Sequence, residues 1–225
     1  MHLVSALILW GLLPPGDEPP VMFERMRLFE YSPTSTTELS VHGRALWPQG
    51  GDAVGDSFEW EDMFDTGWGF GIQFAQLWGR QPSGGVYLAF EWETYEGEEG
   101  VDLTGDRFEP DEMSIASLML GAVGRTRLAE GFLADIRLGG GVSYFYDEVM
   151  ADAVLSNVEF PDLELYKKSV AFVGELGLRL HLGPVFLGTG VVFRGPPDKG
   201  TDFTSVLSPE IQTPVYAELG LALRF

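Results

Sequence analysis

The sequence predicts an all-β fold: eight antiparallel strands closed into an up-and-down transmembrane β-barrel. Three observations predict it. Alternation with a period of two recurs in eight segments of about ten residues or more. Short and long connections between these segments strictly alternate. Taken together, the less apolar sides of these segments combine Gly, Ala and Ser with arginines and carboxylates.

Composition sets the frame. The chain has 225 residues, a length that all-β barrels use as one unit. Hydrophobic residues make up 45%, too many for a mostly disordered chain. With 34 acidic and 14 basic residues the net charge is −20. Binding phosphates requires a basic surface, so a nucleic-acid partner is disfavoured. There is no cysteine, which removes disulfides, thiolate-bound zinc and thiol catalysis.

The first element is a leader. Leu3 to Leu13 form an uncharged run that Pro14, Pro15 and Gly16 end. It is too short for a membrane helix, which needs roughly 20 apolar residues, and fits the apolar core of a signal peptide. Only His2 supplies a basic group before it, and no clean A-x-A cleavage site follows. We read residues 1–20 as signal peptide and leader, 21–37 as a periplasmic lead-in, and 38–225 as the barrel.

Strands are expected at 38–47, 68–79, 86–95, 114–127, 132–147, 168–182, 185–194 and 214–225. In 68–79, Trp68, Phe70, Ile72, Phe74 and Trp78 alternate with Gly69, Gly71, Gln73, Ala75 and Gly79. In 86–95, Val86, Leu88, Phe90 and Trp92 alternate with Tyr87, Ala89, Glu91 and Glu93. In 168–182, Val170, Phe172, Leu176, Leu178 and Leu180 alternate with Ser169, Glu175, Gly177, Arg179 and His181. The segments 80–85, 128–131 and 183–184 are short and rich in Gly or Pro, which suits tight reversals. The segments 48–66, 96–112, 148–166 and 195–213 are long and are expected to be unstructured loops at one end of the barrel. Those four carry −6, −7, −5 and −2, the whole net charge of the chain. Such a rim repels anions and attracts cations, and it is read first as a solvated surface.

Alternation does not say which face is inside. The polar face does. Its acids are Glu91, Glu93, Asp135, Glu175 and Glu218, and its bases are Arg44, Arg125, Arg127, Arg137, Arg179, Arg194 and Arg224. It is near charge balance in a strongly acidic chain, and all three lysines lie in or beside long loops. Arginine forms fixed bidentate bonds with carboxylates, as a confined interior requires. The small residues beside these charges fit an eight-stranded barrel, whose interior just holds side chains. We therefore expect an interior network of Arg44, Glu91, Glu93, Arg125, Asp135, Arg137, Glu175, Arg179, Glu218 and Arg224. The apolar face turns outward, with Trp68, Trp78, Trp92, Tyr144 and Tyr146 as aromatic girdle.

The terminal YAELGLALRF ends in an aromatic, with Leu219, Leu221 and Leu223 at alternate positions before Phe225. This resembles the terminal-strand signal of bacterial outer-membrane proteins. With the leader, the eight strands and the alternating connections, residues 38–225 resemble the small outer-membrane barrels of the OmpA/OmpX/OmpW type. The resemblance implies the bacterial outer membrane as location, contact with its lipid, and long loops facing the outside medium. It also implies recognition of Leu219, Leu221, Leu223 and Phe225 by the barrel-assembly machinery.

No catalytic constellation emerges, and no cofactor. His42 has Ser40 nearby and His181 shares a strand face with Glu175, but neither spacing makes a Ser-His-acid site. Both are read as hydrogen-bonded interior histidines. In 102–112, Asp102, Thr104 and Asp106 follow calcium-loop spacing, but Arg107 stands where glycine is needed. Divalent cations held by several loop carboxylates stay open as partners; no metal site is assigned. The expected function is a non-enzymatic outer-membrane barrel, closed inside, with a structural or surface-interaction role. A narrow channel is the alternative, followed by an outer-membrane lipid-modifying enzyme and a soluble ligand-binding barrel.

Overall fold

The computed structural model describes residues 35–54, 58–79, 83–101, 105, 107–155, 158–200 and 210–225. The leader, residues 21–34, and Asp102, Thr104 and Asp106 lie outside them. In chain order the elements are β1 (Ser35–Trp47), β2 (Asp52–Val54), β3 (Phe58–Glu59), α1 (Trp60–Met63), β4 (Gly67–Trp78) and β5 (Ser83–Tyr95). Then come β6 (Gly100–Val101), β7 (Arg107–Pro110), β8 (Met113–Ala129), β9 (Phe132–Phe145) and β10 (Val149–Leu155). The last are β11 (Val158–Lys167), β12 (Ser169–Leu182), β13 (Val185–Arg194), β14 (Asp198–Lys199) and β15 (Val215–Arg224).

Eight of these close a barrel in the order β1-β15-β13-β12-β9-β8-β5-β4. Each neighbouring pair is antiparallel, and β1 closes on β15 with Ala45 opposite Ala217. The seam runs to the chain end, where Thr37 and Phe225 exchange both backbone hydrogen bonds at 3.2 and 2.9 Å. Closure removes every barrel edge, so no barrel strand is left to pair with another chain. The strands match the sequence reading to within three residues at each end; β1 begins at Ser35 within the predicted lead-in, and β5 begins at Ser83 and β8 ends at Ala129 within predicted reversals. At the short reversals, Gly131 and Gly183 have φ of 80° and 65°, which L side chains rarely adopt.

Burial alternates along each barrel strand, with the apolar set exposed. Leu39, Phe70, Ile72, Leu88, Leu120, Ile136, Leu178 and Leu221 point outward. Trp47, Trp68, Tyr144 and Tyr146 stand exposed toward the end with the long connections; Trp92 is half-buried there, 5.7 Å from the Tyr146 ring. Trp78, Phe132 and Phe225 stand exposed at the opposite end. Trp68 and Trp78 are ten residues apart on β4. At about 3.3 Å per residue and a tilt of about 40°, they bracket a band about 25 Å tall, the height of the apolar belt on membrane barrels.

The long connections are not the unstructured loops expected from sequence. β6, β7, β10, β11 and β14 form a five-stranded sheet in the order β14-β11-β10-β7-β6, and β2 pairs with β3. The reason is a second alternation hidden among the acids. Val149, Ala151 and Ala153 are buried while Asp152 between them is exposed, and Phe108 is buried between exposed Arg107 and Glu109. The inward set of this cap joins Trp60, Met63, Phe64, Leu165 and Tyr166 in one cluster with the barrel residues Leu46, Tyr95, Met113, Ile115 and Phe145. An apolar plug therefore closes the barrel at this end. The acids Glu61, Glu98, Glu109, Asp111, Glu148, Asp152, Glu159 and Glu210 stay exposed on it. Arg107 pairs with Glu99 there at 3.1 Å.

Candidate functional site

Below the plug, the barrel interior is a charge network in three levels. The inward positions of a closed antiparallel barrel bring together residues far apart in sequence. Small residues make room for them. A Cβ at Gly188 would meet Glu218, and one at Gly71 would meet Glu91 and His42.

The uppermost level holds Arg194 and Glu93. Arg194 Nη2 donates to Glu93 Oε2 at 2.5 Å, and the Tyr95 hydroxyl donates to the same oxygen at 3.2 Å. Arg194 Nε donates to Ser143 Oγ at 3.2 Å, and Ser143 and Ser117 share a hydrogen bond of 2.7 Å.

The middle level sets Glu91, Glu175 and Glu218 against Arg44, Arg137 and Arg179. Arg44 reaches all three carboxylates, at 3.2, 3.1 and 3.2 Å. Arg137 Nη2 bonds Glu175, and its Nη1 donates to Gln73 Oε1 at 2.8 Å. Arg179 grips Glu218 through Nε and through Nη2, the latter at 3.1 Å. Arg44 stacks 4.2 Å from the Tyr216 ring centre, and Tyr216 donates to Glu175 at 3.1 Å.

The lowest level centres on Arg125. It is bidentate to Glu38, at 2.7 and 2.9 Å, and bidentate to Asp135, at 2.6 Å for both contacts. Arg224 Nε donates to Glu38 at 2.8 Å, and its side chain keeps 28% exposure at the barrel mouth. Phe186 divides the two lower levels, with ring centres 6.1 Å from His42 and 5.3 Å from His181.

All ten residues named from sequence for the interior lie in these levels. Six carboxylates (Glu38, Glu91, Glu93, Asp135, Glu175, Glu218) face six arginines (Arg44, Arg125, Arg137, Arg179, Arg194, Arg224), so these groups balance. Glu38 was missed, although it shares its side of β1 with Ser40, His42 and Arg44. Gln73, Tyr87 and Tyr216 were missed as well; the signal was their parity with charged neighbours. Arg127, counted on the polar face, is exposed where the β8–β9 register breaks. Leu219, Leu221, Leu223 and Phe225 all point outward, with Phe225 at 76% exposure.

The histidines occupy matching settings. His42 Nε2 lies 3.0 Å from Glu91 and its Nδ1 3.3 Å from Arg179 Nη2. His181 Nε2 lies 2.9 Å from Asp135, with Arg125 Nη2 farther away at 3.4 Å, and its Nδ1 lies 2.9 Å from Arg224 Nη2. A guanidinium only donates, and a carboxylate only accepts. The shorter contacts thus assign the ring proton to Nε2 and make Nδ1 an acceptor in both. Nitrogen-15 NMR of the imidazoles should show this tautomer for both rings; an Nδ1-protonated ring would contradict the arrangement. As the spacing implied, neither Ser40 with His42 nor Glu175 with His181 forms a pair: Ser40 Oγ accepts from Arg179 at 3.4 Å, and Glu175 serves Arg44, Arg137 and Tyr216. Glu38, Asp135 and His181 lie close enough together to suggest metal ligands. Arg125 already supplies the cation between the two carboxylates, so the donor set does not fit a metal.

Several solved outer-membrane barrels are similar to this chain in fold. Ail, the attachment invasion locus protein of Yersinia pestis, is 12% identical; the match covers 85% of this chain and 99% of Ail, with a TM-score of 0.43. The outer membrane enzyme PagL is 11% identical over 82% of this chain and 98% of its own, with a TM-score of 0.48. Neisserial surface protein A is 10% identical over 85% and 97%, with a TM-score of 0.36. No protein-family model and no curated protein sequence matches the chain. These likenesses concern fold alone and transfer no ligand or reaction.

Proposed function

We propose that this chain is a non-conducting, non-enzymatic barrel of the bacterial outer membrane whose working part is the acidic cap. The observation that carries the reading is the division of its charge. Paired carboxylates and arginines fill the barrel beneath an apolar plug, while the unbalanced acids stand exposed on the cap. The apolar side chains on the outer wall form a belt too large and continuous for a water-facing surface. Lipid is the solvent that suits them. Leu219, Leu221, Leu223 and Phe225 lie on that wall, accessible to assembly machinery. The cap suits cationic contacts, either divalent cations or basic partner surfaces, and repels polyanions.

Refolding the full chain in detergent tests this reading. Unboiled protein should run differently from boiled protein in SDS, and planar bilayers containing it should show no steady conductance steps. Regular steps would reinstate the channel. A monodisperse protein without detergent would turn the faces inside out.

A further inference from the structure

We propose that one buried water molecule is bound where the cap meets the barrel, held between the Trp60 indole and the Gln212 side-chain amide. Trp60 is 1% exposed and Gln212 4% exposed. Among the described residues, neither Trp60 Nε1 nor Gln212 Nε2 has a hydrogen-bond partner. Both residues line the same small cavity, together with Pro48, Phe64, Tyr95 and Pro214.

The orientation of Gln212 follows from its other contacts. Its backbone exchanges hydrogen bonds with Arg194 at 2.9 and 3.0 Å. Its Oε1 accepts from Arg194 Nη1 at 3.4 Å. A guanidinium can only donate, so the oxygen must face Arg194 and the amide nitrogen turns away from it. The indole nitrogen is likewise a donor only. Two unpartnered donors on residues lining one cavity call for an acceptor with two lone pairs. The cavity has a volume of about 10 Å³. That is near the minimum that one water needs, and too little for a carboxylate or phosphate.

The site joins separate parts of the plug. Trp60 belongs to α1 in the first long connection and stacks on Tyr166 of β11, ring centres 5.5 Å apart. Gln212 ends the fourth connection and reaches the Arg194–Glu93 level of the network. The water thus ties the apolar plug to the ion-paired interior.

The test is water-to-indole cross-relaxation by NMR on the full chain, nitrogen-15 labelled at tryptophan and refolded in detergent. Trp60→Phe assigns the resonance. The Trp60 indole proton should show a direct cross-relaxation peak with water, of the sign given by long-lived bound water. Gln212→Leu, checked for folding by the SDS shift, should abolish or strongly weaken it. A folded wild-type barrel without the peak would overturn the proposal, and so would a peak of undiminished strength in Gln212→Leu.

Discussion

Glu218→Leu is expected to lower the unfolding free energy by about 3–5 kcal/mol, the usual cost of stranding buried charge. Glu218 is the shared acceptor of the middle level. It takes Arg179 through two nitrogens, Arg44 Nε at 3.2 Å and Arg137 Nη1 at 3.8 Å. Leucine fills similar volume but offers no acceptor. Arg179 loses its bidentate partner while it stays buried at 2% exposure, with the Phe186 ring centre 4.3 Å from its guanidinium carbon. Urea unfolding of detergent-refolded protein, followed by tryptophan fluorescence, gives the midpoint. Arg127→Leu is the control: that side chain is exposed, and its loss should stay within about 0.5 kcal/mol. If the Glu218 and Arg127 variants unfold alike, the interior charges are hydrated and the network does not hold the barrel. Removing both Glu218 and Arg179 should cost less than the two single losses together, since the pair leaves one stranded group fewer.

The faces of the barrel were legible because parity is a local property. Trp68, Phe70 and Ile72 declare one side of β4, and Gly69, Gly71 and Gln73 the other, whatever the rest of the chain does. Partnership around the barrel is not local. Arg44 on β1 meets Glu175 on β12, 131 residues away, because strand stagger brings them to one level. No spacing in the sequence encodes that stagger. Glu38 escaped notice for a related reason. It sits at the predicted start of its strand, and only the extension of β1 to Ser35 places it inside the barrel. The cap escaped because its alternation is brief and its outward positions are acidic. Asp152 between Ala151 and Ala153 reads as loop until Glu109 is found opposite it on β7. Two carboxylates facing each other are tolerable there because both are exposed. Glu109, Asp152 and Glu159, acids that made these segments look unstructured, are exposed positions on strands of a sheet.

Leu176→Arg should cost about 2–4 kcal/mol in a lipid bilayer, and Leu182→Arg about 0–1 kcal/mol, because the penalty on a barrel's lipid face depends on depth. Both leucines point outward from β12. Val170 on this strand lies opposite Tyr144, and Leu182 opposite Phe132. Leu176 is six residues from each and so lies midway between the aromatic ends. At the midplane an arginine has no water to hydrate it, and its stem is too short to carry the charge to either interface. At Leu182 the same side chain snorkels into the headgroup layer. Equilibrium unfolding from lipid vesicles measures both. A soluble barrel predicts a different pattern. Its outer wall would face water at every height, so both substitutions would fall within about 0.5 kcal/mol and show no gradient. Stability loss alone could come from disturbed packing, but packing has no reason to follow distance from the aromatic rings. Only a low-dielectric layer centred between them ranks Leu176 above Leu182, so the gradient rather than either loss decides whether this wall faces lipid.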